Sequence, residues 1–306
     1  MEIKNILVVG GGLMGKNIAF VYTKNPNFNV TVLDIVDMDL QAAIRKNAAC
    51  LGLTDAELDE RLSRISFTMD MDCDAVKNAD IVVEAIFEKL ELKQELFARL
   101  EERCRSDAIF CTNTSAISPT EISRNLKHRE RFVGTHFWNP AHLIPLVEVV
   151  KSDATSDETA ELMMRLLDEA GKEVVLCRKD VPGFIGNRLQ HALWREAIYI
   201  VESGIADAAM VDKAVRNSFG LRLPQLGPLE NADMIGLDLT DDIHTTVFAD
   251  LCDSHETSAM VKQLIAEGKL GFKTGEGLQK WSPEAIEASR TGLNDYLVSM
   301  LNRKKN

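Results

Sequence analysis

In the first half of the chain, short β-branched, largely apolar runs alternate with longer stretches whose apolar positions fall three or four residues apart. The runs lie at 6–9, 30–33, 81–84 and 108–111 and are rich in Val and Ile. An apolar run without polar interruption reads as a strand covered on both faces, and its alternation with helical stretches predicts a parallel sheet with crossover helices. Residues 88–103 carry Leu92, Leu96 and Leu100 at helical spacing, with Lys93, Glu95, Arg99 and Glu102 off that stripe. This predicts a surface helix that packs one face on the sheet. Further strands are expected at 131–135 and 146–150; the Ser-, Thr- and Asp-rich stretch 152–157 then caps a helix to about 170, and 174–176 is the last strand.

The pattern changes at Asp180-Val181-Pro182-Gly183, beyond which no strand-like run of any length follows. Residues 184–203 read as a long helix with Leu189, Leu193, Ala197 and Ile200 on one side and Gly204 as its C-cap. Further helices are expected at 207–219, 237–252, 259–267 and 283–302, separated by turns such as Leu223-Pro224 and Gly227-Pro228. The expectation is an α/β domain over 1–181 and an all-helical domain over 182–306, a length sufficient for two cores.

Charge and cysteine usage narrow the function classes. A net charge of −12 and a pI near 5.1 argue against nucleic acid or an anionic membrane as partner. The N-terminal apolar run stops at Gly10, far short of a signal segment or a membrane span, so a cytoplasmic protein is expected. Cys50, Cys73, Cys104, Cys111, Cys177 and Cys252 stand apart with no CxxC pair, which predicts reduced, mostly buried thiols and no metal site.

The first chemical signal is Gly10-Gly11-Gly12-Leu13-Met14-Gly15, a GxGxxG that follows a strand and opens a helix. In that context Gly10 permits a tight turn, Gly12 lets backbone approach a pyrophosphate, and Gly15 lets helix and strand pack closely; the helix N-terminus offers amides to phosphate. Asp34, nineteen residues beyond Gly15, stands at the end of the second strand, where an acid accepts from the ribose hydroxyls. No Arg or Lys follows in Ile35-Val36-Asp37-Met38, so a 2′-phosphate would meet acids only and NAD is the expected cofactor. The first domain is therefore read as a Rossmann-type, doubly wound sheet.

Three segments then place polar groups at strand ends: 111–115, 134–140 and 145–150. Glu148, flanked by Leu146, Val147, Val149 and Val150, is a carboxylate on an apolar strand and needs a buried partner, for which a histidine is natural. With these motifs in view the chain resembles the L-3-hydroxyacyl-CoA dehydrogenase family. The likeness is carried by the glycine fingerprint, Val83-Glu84-Ala85-Ile86-Phe87-Glu88, Asn113-Thr114-Ser115, His136-Phe137-Trp138-Asn139-Pro140, Leu146-Val147-Glu148-Val149 and Pro182-Gly183-Phe184-Ile185-Gly186-Asn187-Arg188, and it extends to Gly227-Pro228-Leu229 and Gly236-Leu237-Asp238.

The resemblance implies that His136 is a general base removing the 3-hydroxyl proton as hydride leaves the same carbon, and that Glu148 orients it. It also implies that Ser115 and Asn187 hydrogen-bond substrate oxygens, that Glu88, Lys93 and Asn113 meet the nicotinamide ribose, and that the helical domain binds substrate and forms a homodimer. The implied substrate is an acyl-CoA. Yet where many CoA-thioester members carry lysines, this chain reads Asn47-Ala48-Ala49-Cys50-Leu51-Gly52-Leu53-Thr54, leaving Arg45, Lys46, Arg61 and Arg64 as substitutes. Residues 138–145 also look like relatives that oxidise small free hydroxy acids or alcohols. A third reading is a non-enzymatic NAD(H)-binding protein on the same fold.

Overall fold

The computed structural model describes residues 3–303. Strands β1 (Asn5–Val9), β2 (Asn29–Leu33), β3 (Ile65–Thr68), β4 (Ile81–Glu84), β5 (Ile109–Thr112), β6 (Phe132–Phe137), β7 (Leu146–Lys151) and β8 (Glu173–Cys177) form one eight-stranded sheet in the order β3-β2-β1-β4-β5-β6-β7-β8. The order reverses between β1 and β4, and such a switch point opens a crevice at the carboxyl ends of the strands. The apolar runs become central strands because both faces are covered: Leu7, Val8, Val32, Val82 and Val83 are fully buried.

Helices α1 (Leu13–Tyr22), α2 (Leu40–Ala48), α3 (Asp55–Ser63), α4 (Asp74–Lys77), α5 (Leu90–Glu101), α6 (Pro119–Ile122) and α7 (Asp157–Glu169) make the crossovers. One buried cluster gathers Ile18, Phe20, Tyr22, Val32, Ile44 and Met163, and a second gathers Leu7, Val82, Phe97, Phe110 and Phe132. Phe97 stands edge-on to Phe110 and Phe132, at ring separations of 6.0 and 4.9 Å, which fixes α5 on the sheet.

The doubly wound α/β expectation is met, with four corrections in detail. β3 reads Ile-Ser-Phe-Thr, too short and too polar to register as an apolar run, and it occupies an edge where one buried residue is enough. The sheet is not parallel throughout: β7 runs antiparallel to β6, while β8 is parallel to β7. On α5 the buried face is Lys93, Phe97 and Leu100, whereas Leu92 is 41% exposed, so the leucine stripe misjudges the helix by a rotation of about one residue. All six cysteines are free as expected, but only Cys111 and Cys177 are buried.

The rest of the chain is helical: α8 (Gly186–Glu202), α9 (Ala208–Arg216), α10 (Pro228–Ile235), α11 (Leu237–Val247), α12 (Ala259–Ala266) and α13 (Pro283–Arg303). Gly204 takes a φ of 72°, the left-handed cap expected after the long helix. The unforeseen α10 begins with Pro228 in its first turn, a position where proline starts a helix instead of breaking it. Two compact units result: residues through Asn187 together with those from Gly292 onward, and Arg188–Thr291. The division falls six residues beyond the break expected at 181/182 and returns the end of α13 to the first unit.

In the second unit polar groups tie helix ends together. The Glu196 carboxylate accepts from the Cys252 N–H at 2.8 Å, Glu202 accepts from the Met260 N–H at 3.0 Å, and Asp212 accepts from Gln279 Nε2 at 2.8 Å. Apolar side chains there remain open to solvent, with Leu229 81% and Leu237 65% exposed. Among the described residues no helix is long and apolar enough to cross a membrane.

Candidate active site

The glycine turn joins β1 to α1. Gly10 has a φ of 100° and donates its N–H to the Leu33 carbonyl at 2.8 Å; a Cβ there would lie 2.7 Å from the Ala85 carbonyl oxygen. At Gly15 a Cβ would come within 1.7 Å of the Gly10 carbonyl oxygen, so only glycine lets α1 start against the turn. Gly12 differs: nothing lies within 4 Å of its Cβ position, and it is the N-cap of α1 with no side-chain cap and no acid in the first turn. Gly12 and Leu13 are exposed and Met14 half-buried. A helix N-terminus with no side-chain cap and no acid in its first turn is the arrangement that receives a pyrophosphate. Asp34 accepts from the Gly11 N–H at 2.5 Å and the Val36 N–H at 3.0 Å, which locks the acid beside the turn. These residues fit NAD.

Below the adjoining loop lies a buried ionic cluster that the helical pattern concealed. Lys93, 1% exposed, reaches Glu84 Oε1 at 2.6 Å and Glu88 Oε2 at 3.2 Å. Glu84 also accepts from Thr112 Oγ1 at 2.7 Å and the Ile86 N–H at 2.7 Å. A buried ammonium between two carboxylates, each further hydrogen-bonded, is a structural device and not a solvated helix pair. Glu88 in turn accepts from Thr114 Oγ1 at 2.6 Å, the Ser115 N–H at 2.9 Å and the Ala116 N–H at 3.1 Å. Burial alone would raise the Glu88 carboxyl pKa, but the Thr114 hydroxyl, the Lys93 charge and the two amides hold it below the usual carboxylate value. The cluster thereby shapes the 113–116 loop. Asn113 belongs to that loop, and its Oδ1 accepts from the Phe137 N–H at 2.8 Å.

His136 and Glu148 face each other across the antiparallel pair β6/β7, directly opposite in register. This reversal of strand direction brings them together, because opposite residues of an antiparallel pair stand about 5 Å apart. His136 Nδ1 meets Glu148 Oε2 at 2.8 Å; His136 is 4% exposed and Glu148 fully buried. Glu148 Oε2 also accepts from Trp138 Nε1 at 3.2 Å, and Oε1 accepts from the Ile185 and Gly186 N–H groups at 2.9 and 3.0 Å. Burial pushes the Glu148 carboxyl up, yet the bonds from His136, Gly186, Ile185 and Trp138 win and hold it below its ordinary value. With Nδ1 against an ionised carboxylate, the imidazole carries its proton on Nδ1 and leaves Nε2 as the basic nitrogen.

The two amides that complete Glu148 come from the turn into α8. That turn is built by Gly183 at a φ of 78° and Phe184 at a φ of 50°, the latter a left-handed residue with a cost of about 1–3 kcal/mol. Phe184 is buried with its ring 5.6 Å from the imidazole, and Trp138 flanks the other side at 5.7 Å. A Cβ on Gly186 would lie 2.5 Å from the Trp138 ring, so glycine permits that close approach. Trp138 therefore does more than fill space: its indole N–H is one of the donors to Glu148. In the first turn of α8, Asn187 donates from Nδ2 to the Ser115 carbonyl at 3.2 Å, bringing those two residues together on the exposed side of the loop.

Three of the four CoA substitutes have internal partners. Arg45 pairs with Asp59, Arg61 donates to the Phe20 carbonyl at 2.6 Å and Thr23 Oγ1 at 3.1 Å, and Arg64 donates to the Thr23 carbonyl at 2.6 Å and Glu60 at 2.9 Å.

The NAD-binding domain model of 3-hydroxyacyl-CoA dehydrogenase matches residues 5–181, and the C-terminal domain model of the same family matches 183–281. Human mitochondrial hydroxyacyl-coenzyme A dehydrogenase is 36% identical over 292 residues, covering 91% of each chain. Among solved structures, 5-formyl-3-hydroxy-2-methylpyridine 4-carboxylic acid 5-dehydrogenase, described as an NAD+-dependent dismutase, superimposes with a TM-score of 0.89 at 29% identity, over 100% of this chain and 99% of that one. The (S)-3-hydroxybutyryl-CoA dehydrogenase from Ralstonia eutropha gives 0.77 at 31% identity, over 92% of this chain and 100% of its own.

Proposed function

We propose that this chain, which belongs to the 3-hydroxyacyl-CoA dehydrogenase family and is an NAD-dependent oxidoreductase, moves hydride between a hydroxyl-bearing carbon and the nicotinamide with His136 as general acid/base. The observation that carries this reading is the His136–Glu148 pair at 2.8 Å, buried, with the basic Nε2 left over. Nε2 removes the hydroxyl proton as the C–H pair departs, and Glu148 stabilises the imidazolium formed. Bound NAD supplies the hydride acceptor. Gly10, Gly12, Leu13, Met14, Gly15 and Asp34 hold its adenosine and pyrophosphate side, and Glu88, Lys93 and Asn113 set the loop against its nicotinamide ribose. Ser115 and Asn187 hold the substrate oxygens.

For the substrate, relatives bearing the hydroxyacyl-CoA name support an L-3-hydroxyacyl-CoA. A second reading, a small hydroxy acid or alcohol without CoA, has a specific observation behind it. Arg45 and Arg64 each pair with an acid, Arg61 has committed Nε and one Nη2 hydrogen internally, and Lys46 is the remaining one of the four substitutes, while CoA phosphates require charge-assisted donors. The fuller superposition on a pyridine-carboxylate dehydrogenase points the same way. On geometry the second reading is the stronger.

Loss of NADH absorbance with acetoacetyl-CoA and, in parallel, with free acetoacetate decides between them. Turnover of the thioester alone establishes the acyl-CoA reading; inactivity on it, with NADH still bound, moves the assignment to a small free substrate. Residues 182–306 carry substrate binding and homodimer formation in this proposal, and the protein works in the cytoplasm.

A further inference from the structure

A cavity of about 290 Å³ lies within the first unit, away from the glycine turn, between the end of α1, the 141–145 loop, the 170–172 turn and the last turns of α13. Its apolar wall includes Phe20, Leu51, Leu53, Leu143, Val298 and Leu301. Its polar lining among the described residues consists of Lys24, Arg61, His142, Lys172 and Asn302, with no carboxylate in that described lining. In a chain of net charge −12, a half-open cavity lined by Lys24, Arg61, Lys172 and His142, with Glu60 acting on Arg61 from outside the lining, offers a cationic face to an anion.

The donors show what kind. Lys172, buried, gives hydrogens to the Ala141 carbonyl and to the Ile144 carbonyl at 2.9 Å, so one of its three remains. Arg61 lies 3.8 Å from the centre of the Phe20 ring and has committed Nε and one Nη2 hydrogen. Lys24, at the rim, has its Nζ over Gly171, where a Cβ would lie 1.8 Å away. Buried His142 Nδ1 has no hydrogen-bond partner. These few remaining donors beside a largely apolar wall suit a single carboxylate with a short hydrocarbon body better than a phosphate dianion, which needs a full shell of donors. Burial first, then the Lys24 charge, lowers the Lys172 ammonium to about 7, and burial followed by Lys172 lowers His142 to about 4. Both shifts follow first from burial and second from a neighbouring positive charge.

We propose that this cavity binds a short-chain aliphatic monocarboxylate, its carboxylate between Lys24 and Lys172 and its chain against Leu51, Leu143 and Leu301. The site is separate from the dehydrogenase chemistry proposed above and does not depend on it.

The test is calorimetric titration of the full-length protein, saturated with NADH, with hexanoate, using hexanol and inorganic phosphate as comparison probes. Hexanoate is expected to bind one per chain, with hexanol and phosphate at least tenfold weaker. Lys24→Glu, a rim change that leaves the buried Lys172 in place, should weaken hexanoate at least tenfold while NADH affinity holds. Lys172→Met should abolish binding if the variant folds. Absence of hexanoate binding, equal affinity for hexanol, phosphate binding as tight as hexanoate, or unchanged affinity in a folded Lys24→Glu protein would overturn the proposal.

Discussion

The two units of this chain are built on opposite terms. The first encloses two apolar clusters and buries charged groups as well: Lys93 with Glu84, and His136 with Glu148. In the second, not one of residues 188–291 is buried, and Leu221, Leu229 and Leu237 are 70, 81 and 65% exposed. A helical unit of this length that hides no side chain fully has its apolar faces turned outward. Exposed apolar area on that scale marks a surface to be covered, and in a homo-oligomer a two-fold pairing is the commonest cover. The difference lies in where each unit places its apolar side chains: the first holds its buried ionisable pairs within its own core, while the second leaves its apolar faces outside any core.

The sharpest way to break this comparison is at the buried dyad. His136→Gln keeps a polar side chain but removes the base, so turnover should fall by about a hundredfold to ten-thousandfold. NADH affinity, measured by fluorescence titration, should stay near that of the parent, since the glycine turn is untouched. Unchanged turnover would remove His136 from the mechanism.

Next in size is the ionic cluster. Lys93→Met leaves Glu84 buried without its cation, a change of the kind that costs about 3–5 kcal/mol. Chemical denaturation should show that loss, and the Lys93→Met/Glu84→Gln double variant should recover part of it, because the uncompensated charge is gone. A loss within about 0.5 kcal/mol, as for an ordinary surface position, would make Lys93 a solvated residue after all.

A gentler probe addresses the second unit. Leu229→Glu with Leu237→Glu adds charge where a lone chain would tolerate it, at about 0.5 kcal/mol or less per site. If a second copy covers these positions, light scattering should give a mass of two chains for the parent and one for the variant. A parent that already scatters as one chain of 34.0 kDa would end the dimer proposal.

How much of this was legible in the sequence depended on how local each feature is. The strands β1, β2, β4 and β5, the glycine turn and the Gly204 cap are set by neighbours along the chain, and their residues announced them. Glu148 announced its need for a partner because a carboxylate in Leu-Val-Glu-Val-Val has no other means of being buried. What stayed hidden came from residues distant in sequence. The β7 reversal that sets His136 opposite Glu148, the Ile185 and Gly186 amides on that carboxylate, and the Trp138 indole beside it all require the folded sheet. Lys93 deceived the helical pattern because a lysine is read as solvated unless its carboxylates are known, and Glu84 lies on the neighbouring strand.

A further expected effect is a slope, and its sign follows from the cationic cavity. Lys172 holds its proton to about pH 7 in the folded chain, against an ordinary lysine value of 10.5. Below about 7 both folded and unfolded chains carry the charge, and folding bears the full cost of burying it. Between about 7 and 10.5 the unfolded chain binds more protons, so the Lys172 contribution makes stability rise with pH across that window. His142 acts the same way lower down: with its folded value near 4 against 6.5, stability falls as pH drops from 6.5 toward 4. Lys24, Arg61 and His142 are the charged or titratable groups that line the cavity with Lys172, and none is an acid that would reverse the sign. Urea midpoints of the parent should therefore climb from pH 7 to 9, and in Lys172→Met the climb should flatten. A parent profile falling over that range, unchanged by Lys172→Met, would show that Lys172 is solvated and the cavity open, and the first unit would then be less closed than its core implies.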